Sequence, residues 1–172
     1  MDTIQLTLFS EKDKFTQGVF EGVYPSDKLP ASIPTLSAPH IANVHKSDKP
    51  GSSYIAFYFT KSKRENFFIV MDRLRAIIKN NNSCQWIFNT VTLQGVNSTV
   101  YGHYCLYYAL FRSRQISMST VVYRFSNNKR QNDIVVKRFI EKIFRLRFSK
   151  YRSTKKQTPC NFILTHFVEC SK

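Results

Sequence analysis

A thiol and an imidazole that could take part in nucleophilic chemistry stand close together in the sequence at His103 and Cys105. A cysteine hydrolase needs a thiolate, an imidazole beside it and a third group that orients the imidazole. Cys105 could supply the thiol, but the nearest imidazole, His103, lies two residues away on a predicted helix. Such residues point to different faces, so we do not expect them to pair, and His103 is favoured as a satisfied core or surface side chain. Gln94 suits an oxyanion or a structural hydrogen bond, and both interpretations stay open.

A helix from Tyr101 to Phe111 must position His103 and Cys105. Its residues are apolar on all sides, which predicts a helix buried in the middle of a domain, and Ser98 and Thr99 are expected to cap it. The preceding run 53–60 is rich in aromatic and β-branched residues and predicts a buried strand, and residues 86–93 are a further strand candidate.

Flanking segments are assigned from the same patterns. Residues 67–71 predict a hairpin partner for the first strand, and the basic residues 61–64 predict a solvated turn. Helical spacing recurs at 74–78 and again at 133–143, where Lys137, Arg138 and Lys142 lie off the apolar face. Five of the six prolines fall between residues 25 and 51, which predicts only short extended pieces there.

The run from Leu93 to Tyr108 reads Leu-Gln-Gly-Val-Asn-Ser-Thr-Val-Tyr-Gly-His-Tyr-Cys-Leu-Tyr-Tyr. It resembles the active-site segment of the adenain, or adenovirus protease, family of cysteine proteases, which also occurs in virus-like DNA transposons. In that family a Gln lies seven residues before the nucleophilic Cys, which opens a Cys-Gly-x-x-Cys run at the start of a buried helix. The resemblance equates Gln94 with the oxyanion Gln, Gly102 with the Gly and Cys105 with the second, non-catalytic Cys.

The same resemblance places incompetent groups at the three catalytic positions. Tyr101 stands at the nucleophile, Ser53 at the imidazole and Ile69 at the acid. A phenol, with a reference pKa of about 10, is mostly protonated at neutral pH, and neither Ser nor Ile can replace an imidazole and its orienting acid. Tyr101 is expected to fill the space left in the cleft. Three other titratable residues do not replace the lost groups, because their spacing does not fit the family pattern: His40, His45 and Asp72.

The implied fold is α+β, with a small mixed β-sheet packed against the central buried helix, as in adenain-like, papain-type proteases. Residues 1–148 would form this domain, and residues 149–172 a basic tail of unassigned role. The resemblance implies a catalytically inactive homologue of a viral or transposon cysteine endopeptidase, a hydrolase fold that acts by binding a polypeptide in the former substrate cleft or nucleic acid. The alternative is an active cysteine protease with a displaced nucleophile, Cys105, or a displaced base.

Charge adds a second indication of binding. Lys and Arg outnumber Asp and Glu by 26 to 11, for a net charge of +15. This excess either attracts an anionic partner such as nucleic acid or only keeps an aromatic-rich chain soluble. The candidate nucleic-acid contacts form a basic block in the tail: Arg145, Arg147, Lys150, Arg152, Lys155 and Lys156.

Further functions are excluded or disfavoured by composition. The four cysteines are too far apart for the usual structural zinc motifs, so neither a metal nor a cofactor is predicted, and free thiols are expected. A base-stacking surface is disfavoured because aromatic residues at helical spacing usually belong to the core: Tyr101, Tyr104, Tyr107 and Tyr108. No run reaches the roughly 20 apolar residues of a membrane span. We therefore expect a soluble intracellular protein, cytoplasmic or nuclear, with a virion-associated location as a further option.

Overall fold

The computed structural model describes residues 1–20, 22–29, 38–49, 54–59, 85–95, 97–144 and 167–171. These residues include the helices α1 (Thr3–Lys12), α2 (Tyr101–Ser113), α3 (Met118–Tyr123) and α4 (Lys129–Phe144). They also include the strands β1 (Val23–Pro25), β2 (Pro39–Asn43), β3 (Tyr54–Phe59), β4 (Gln85–Phe88) and β5 (Phe167–Ser171). The α+β class is therefore confirmed. None of the helices in these ranges is both long and apolar enough to cross a membrane.

The strands form one mixed sheet in the order β1-β2-β3-β5-β4. β1 is parallel to β2, and β2 is antiparallel to β3, with Asn43 opposite Tyr54. β5 is parallel to β3 and antiparallel to β4, so that Glu169 lies opposite Tyr58 on one side and Ile87 on the other. The predicted mixed sheet is confirmed.

The interior position of β5 assigns a structural role to residues that the sequence analysis placed in the tail beyond residue 148. Residues 167–171 separate β3 from β4 and form hydrogen-bonded ladders with both. A strand paired on both sides satisfies its own backbone groups and those of two neighbours. The sheet therefore includes this segment, whatever the role of the preceding basic residues.

The predicted strands are found with altered bounds. β3 falls within the predicted 53–60 strand, and β2 is a short extended piece of the kind expected among the prolines, whereas β1 lies mostly before them. β4 ends at Phe88, so its predicted extension to residue 93 is wrong. The reason is local, because Asn89 accepts a hydrogen bond from the Val91 N–H at 2.8 Å and donates to the Val91 carbonyl at 2.8 Å, which turns the chain. The predictions for 61–64, 67–71 and 74–78 lie outside the described residues.

The central helix α2 is buried on all sides, as predicted, with every residue from Gly102 to Arg112 in the interior. It packs against β3, α1 and α4. The predicted cap is wrong, since Val100 occupies the N-cap position and no side chain caps the helix. Ser98 Oγ instead accepts a hydrogen bond from the Val100 N–H at 3.3 Å, whereas a capping side chain accepts from the second or third helical residue.

Helix α4 is amphipathic, as predicted, but begins four residues before the predicted Asp133. The additional turn is capped by Asn128, whose side chain accepts a hydrogen bond from the Gln131 N–H at 3.0 Å. Asn132, Val136 and Ile140 are its buried residues. Three tyrosines of α2 belong to the core, as expected: Tyr104, Tyr107 and Tyr108 are buried.

Helix α1 closes the other side of the core. Asp2 and Gln5 form a capping box, and Leu6 and Phe9 are buried. The Phe9 ring stacks on that of Phe144 at the end of α4, with 5.0 Å between ring centroids. Helix α1 therefore packs against both α2 and α4.

Deletion of residues 167–172 should therefore destabilise the whole sheet. Four residue pairs with β3 and four with β4 would be lost. At about 1 kcal/mol for each net hydrogen bond, we expect a loss of at least about 3 kcal/mol in the free energy of unfolding. Urea unfolding followed by circular dichroism measures this, with deletion of Lys172 alone as the matched control. Equal midpoints for the two deletions would contradict the pairing of β5.

Candidate functional site

The start of α2 brings together most of the predicted site residues that the structure describes. Tyr101 is the first residue of α2, is half-buried and packs against the hydrophobic core. Cys105 follows one turn later, and Gln94 lies in the loop between β4 and α2. The other predicted site residues lie outside the described part of the chain: Ser53, Ile69, Asp72, Arg145, Arg147, Lys150, Arg152, Lys155 and Lys156.

Cys105 is a free thiol with 0% of its surface exposed. Burial raises the pKa of this thiol far above its ordinary value. The cause is desolvation, which penalises the thiolate in an apolar interior. Cys105 also lies close enough to the Tyr54 hydroxyl, at the start of β3, to contribute to the raised pKa of that phenol. The thiol is therefore protonated and inaccessible at neutral pH.

Two buried histidines, His103 and His40, are neutral. Burial lowers the pKa of His103 to about 3, with further lowering by the amino terminus and Lys137. Burial likewise lowers the pKa of His40 to about 4, where its ring stacks on Phe57 at 5.1 Å. His45 lies in the turn after β2, and its backbone N–H donates to the Asn43 side chain. With pKa values of about 3 and about 4, His103 and His40 would accept protons poorly as general bases at neutral pH.

Gln94 is buried, with 1% of its surface exposed. Its Nε2 donates a hydrogen bond to Ser98 Oγ at 3.3 Å. Preorganised oxyanion donors must point toward the reacting atom. An interior amide engaged with Ser98 fits the structural interpretation of this residue.

Ser98 leads to a set of hydrogen bonds, here named the Asp133 network, formed by Gln94, Gly95, Ser98, Tyr104 and Asp133. The Tyr104 hydroxyl donates to Asp133 Oδ1 at 3.0 Å, and Ser98 and the Gly95 N–H also hydrogen-bond this carboxylate. The same Tyr104 hydroxyl lies 3.2 Å from the Leu93 carbonyl oxygen. The network fixes the loop between β4 and α2 against α4.

Neighbouring Asn132 continues this attachment. Its Nδ2 donates to the Leu93 carbonyl oxygen at 3.2 Å and to the Ser126 carbonyl oxygen at 2.8 Å. Its Oδ1 accepts from the Ser126 N–H at 3.0 Å. One buried amide thus joins the loop before α2 to the turn before α4.

The importance of Asp133 and Asn132 was not recognised from the sequence, although a signal was present. Asp133 lies three residues before Val136 and seven before Ile140, on the apolar stripe of α4. A carboxylate on a buried stripe requires hydrogen-bond donors from elsewhere in the fold. The identity of those donors, however, depends on contacts 29 residues away in the case of Tyr104.

The N-terminal helix approaches the start of α2 at Gly102. A Cβ atom at this position would lie 3.3 Å from Met1 Cβ and 3.5 Å from the Leu6 methyl groups. Gly102 therefore permits the close approach of α1. The chain itself occupies the space beside the first turn of α2.

Replacement of Asp133 by Asn should alter the pH dependence of stability. Burial raises the pKa of Asp133 above 3.8 in the folded protein, so the folded state retains this proton to a higher pH than the unfolded chain does. The contribution of Asp133 to stability is thus greatest below pH 3.8 and declines as the pH rises through the folded pKa. We therefore expect the difference in the free energy of unfolding, wild type minus Asp133→Asn, to decrease as the pH rises over this range.

Asp27 provides a control of opposite sign. Hydrogen bonds from Ser47, at 2.7 and 2.8 Å, lower the pKa of Asp27 below its ordinary value. Its contribution is present above the unfolded pKa and is lost as the pH falls through the folded value. The difference between wild type and Asp27→Asn should therefore rise with pH. Urea titrations across the acidic range measure both, and parallel trends would contradict the assignment.

Metal chemistry finds no support in the described residues, since no group of three or more His, Cys, Asp or Glu side chains in them could hold a metal ion.

Comparison with known proteins gives no family model, no curated protein and no solved structure that matches this chain. The adenain resemblance accordingly stays a prediction from the residues of the sequence.

Proposed function

We propose that this chain is a catalytically inactive relative of the adenain-type cysteine proteases and that it acts by binding. The proposal rests on which residues form the first two turns of α2. Tyr101 stands where the family has its nucleophile, and Cys105, the thiol that follows, is fully buried. Neither side chain presents a thiolate to solvent.

The surrounding groups support an inactive site. A cysteine nucleophile depends on a neighbouring imidazole to stabilise its thiolate. His103 and His40 have pKa values of about 3 and about 4, because burial disfavours their protonated forms. Neither imidazole would form a stable thiolate–imidazolium pair at neutral pH.

The oxyanion side of the site supports the same proposal. Gln94, which matches the family pattern, donates to Ser98 in the interior. Its retention is accounted for by the Asp133 network, which anchors the loop before α2. Beside it, Met1 and Leu6 cover Gly102. A site filled by the protein's own side chains favours binding at its margins over turnover.

The proposed partner of this region is a polypeptide lodged in the former substrate cleft, beside the half-exposed Tyr101. Nucleic acid is the second partner class, supported by the net charge of +15. An active protease that uses Cys105 is the competing function. It would require the helix to expose a residue that lies at the centre of the core.

Thiol labelling tests the loss of catalysis. In the native protein we expect iodoacetamide to label Cys105 at least about a hundredfold more slowly than in urea, because modification requires the core to open. Mapping of the labelled peptides distinguishes Cys105 from the other three cysteines, and Cys105→Ala is the control. Rapid native labelling at Cys105, together with peptide hydrolysis that this substitution abolishes, would establish the competing function.

Stability measurements test the packing of Tyr101. The ring is half-buried against the core, so Tyr101→Ala should lower the free energy of unfolding by about 1–3 kcal/mol, less than for a fully buried ring. Tyr123, which is 92% exposed, provides the matched control, and Tyr123→Ala should cost less than about 0.5 kcal/mol. If both substitutions proved neutral, Tyr101 would not fill the site.

A further inference from the structure

Helix α4 has an exposed side, here named the α4 outer face, that carries four cationic side chains: Arg130, Lys137, Arg138 and Lys142. From Arg130 to Lys142 the helix rises about 18 Å at 1.5 Å per residue. Positions 130, 137, 138 and 142 project within one broad sector of the helix, opposite the buried Val136 and Ile140. This side of α4 is therefore predominantly basic, with Ile134 and Glu141 between the cations.

The cations of the α4 outer face are not fully neutralised by the rest of the described chain. None of the four forms an ion pair within the described ranges, where Arg114 with Asp13 is such a pair. Of the two acidic residues of α4, Asp133 is held inward by the Asp133 network, whereas the half-buried Glu141 lies one turn from both Lys137 and Arg138 on the same side of the helix. Glu141 offsets one of the four charges, so the face keeps an excess of positive charge.

The inner side of α4 holds the face rigid. Phe139 packs edge-on against Tyr107 with 4.8 Å between ring centroids, and Phe144 stacks on Phe9. Asn132 attaches the first turn to the Leu93 carbonyl. Cations on a fixed helix lose less conformational entropy on binding than those on a loop.

We propose that the α4 outer face binds the phosphodiester backbone of nucleic acid. Double-stranded DNA presents one phosphate per strand for about every 3.4 Å of its axis, so an 18 Å row of cations faces about five phosphates of one strand. The contacts would be to the backbone and would carry no base sequence information. This inference rests on the nucleic-acid alternative of the proposed function, and it is independent of whether the chain retains catalysis.

An anionic membrane surface is the other polyanion that a basic helix can bind, and the structure favours it less. Interfacial helices insert large apolar side chains, often aromatic, from the side that meets the lipid. Here the aromatic side chains of α4, Phe139 and Phe144, are packed in the core. The exposed apolar residues between the cations are the aliphatic Ile134 and Val135, at 37% and 45% exposure. The outer face therefore has no aromatic side chain to insert into lipid.

The test compares two double substitutions that change the net charge equally. Lys137→Glu with Arg138→Glu alters the α4 outer face, and Lys46→Glu with Lys49→Glu alters exposed residues after β2. Fluorescence anisotropy measures binding to a random-sequence duplex DNA and to a single-stranded RNA over a series of salt concentrations. We expect the α4 variant to lose at least about tenfold in affinity at low salt and its logarithmic salt slope to fall by about two. The control should lose less than about threefold.

Several results would overturn the inference. They are no binding by the wild type at low salt, equal losses in the two variants, and tighter binding to phosphatidylserine vesicles than to either nucleic acid. Comparison of the DNA and RNA series shows which nucleic acid the protein prefers. A loss of affinity that is larger for the α4 variant than for the control, with either nucleic acid, supports the proposed role of the α4 outer face. Because Lys137 lies near His103, circular dichroism must show that the variant is folded, and Arg130→Glu with Lys142→Glu serves as a second variant of the same face. Thiol labelling reports separately on catalysis, so the failure of one proposal is distinguishable from that of the other.

Discussion

Burial of α2 on every side is the constraint on which the rest of the structure depends. Rings from two further segments pack against it: Tyr107 of α2 contacts Phe125 and Phe139, and Phe111 of α2 contacts Phe139, with 4.8 to 5.5 Å between ring centroids. The buried Arg112 is accommodated because its guanidinium lies 4.1 Å from the centre of the Tyr58 ring and donates a hydrogen bond to the Ile116 carbonyl oxygen. The helix thus lies in an environment that penalises ionisation at nearly every position.

The same environment determines the chemistry of the site. Desolvation raises the pKa of Cys105 and lowers that of His103, so that each favours its neutral form. In an active cysteine protease the two groups would be held near solvent in the charged forms. The interior that stabilises α2 is therefore incompatible with using these two residues as nucleophile and base. Polar groups persist in this region where donors and acceptors are matched, as in the Asp133 network.

Features with a local cause were predictable from the sequence. The apolar composition of 101–111 and the stripe of Val136 and Ile140 indicate α2 and α4, and the aromatic run before residue 60 indicates β3. Features that depend on distant partners were not. Ser98 is a favourable capping residue in isolation, but its hydroxyl is held by Asp133, and the central position of β5 depends on pairing with residues more than 80 and 110 positions earlier. In the candidate site, the location of Tyr101 at the helix start followed from the pattern, whereas the burial of Gln94 required the tertiary fold.

The strand order has a consequence for how the protein is synthesised. β3 and β4 leave the ribosome well before β5, although β5 lies between them. Until then, among the described strands, β3 has no neighbour on the side away from β2, and β4 has none at all. Open edges of this kind pair readily with any extended chain. An extended segment of another polypeptide that reached β3 before residues 167–171 emerged would occupy their place in the sheet.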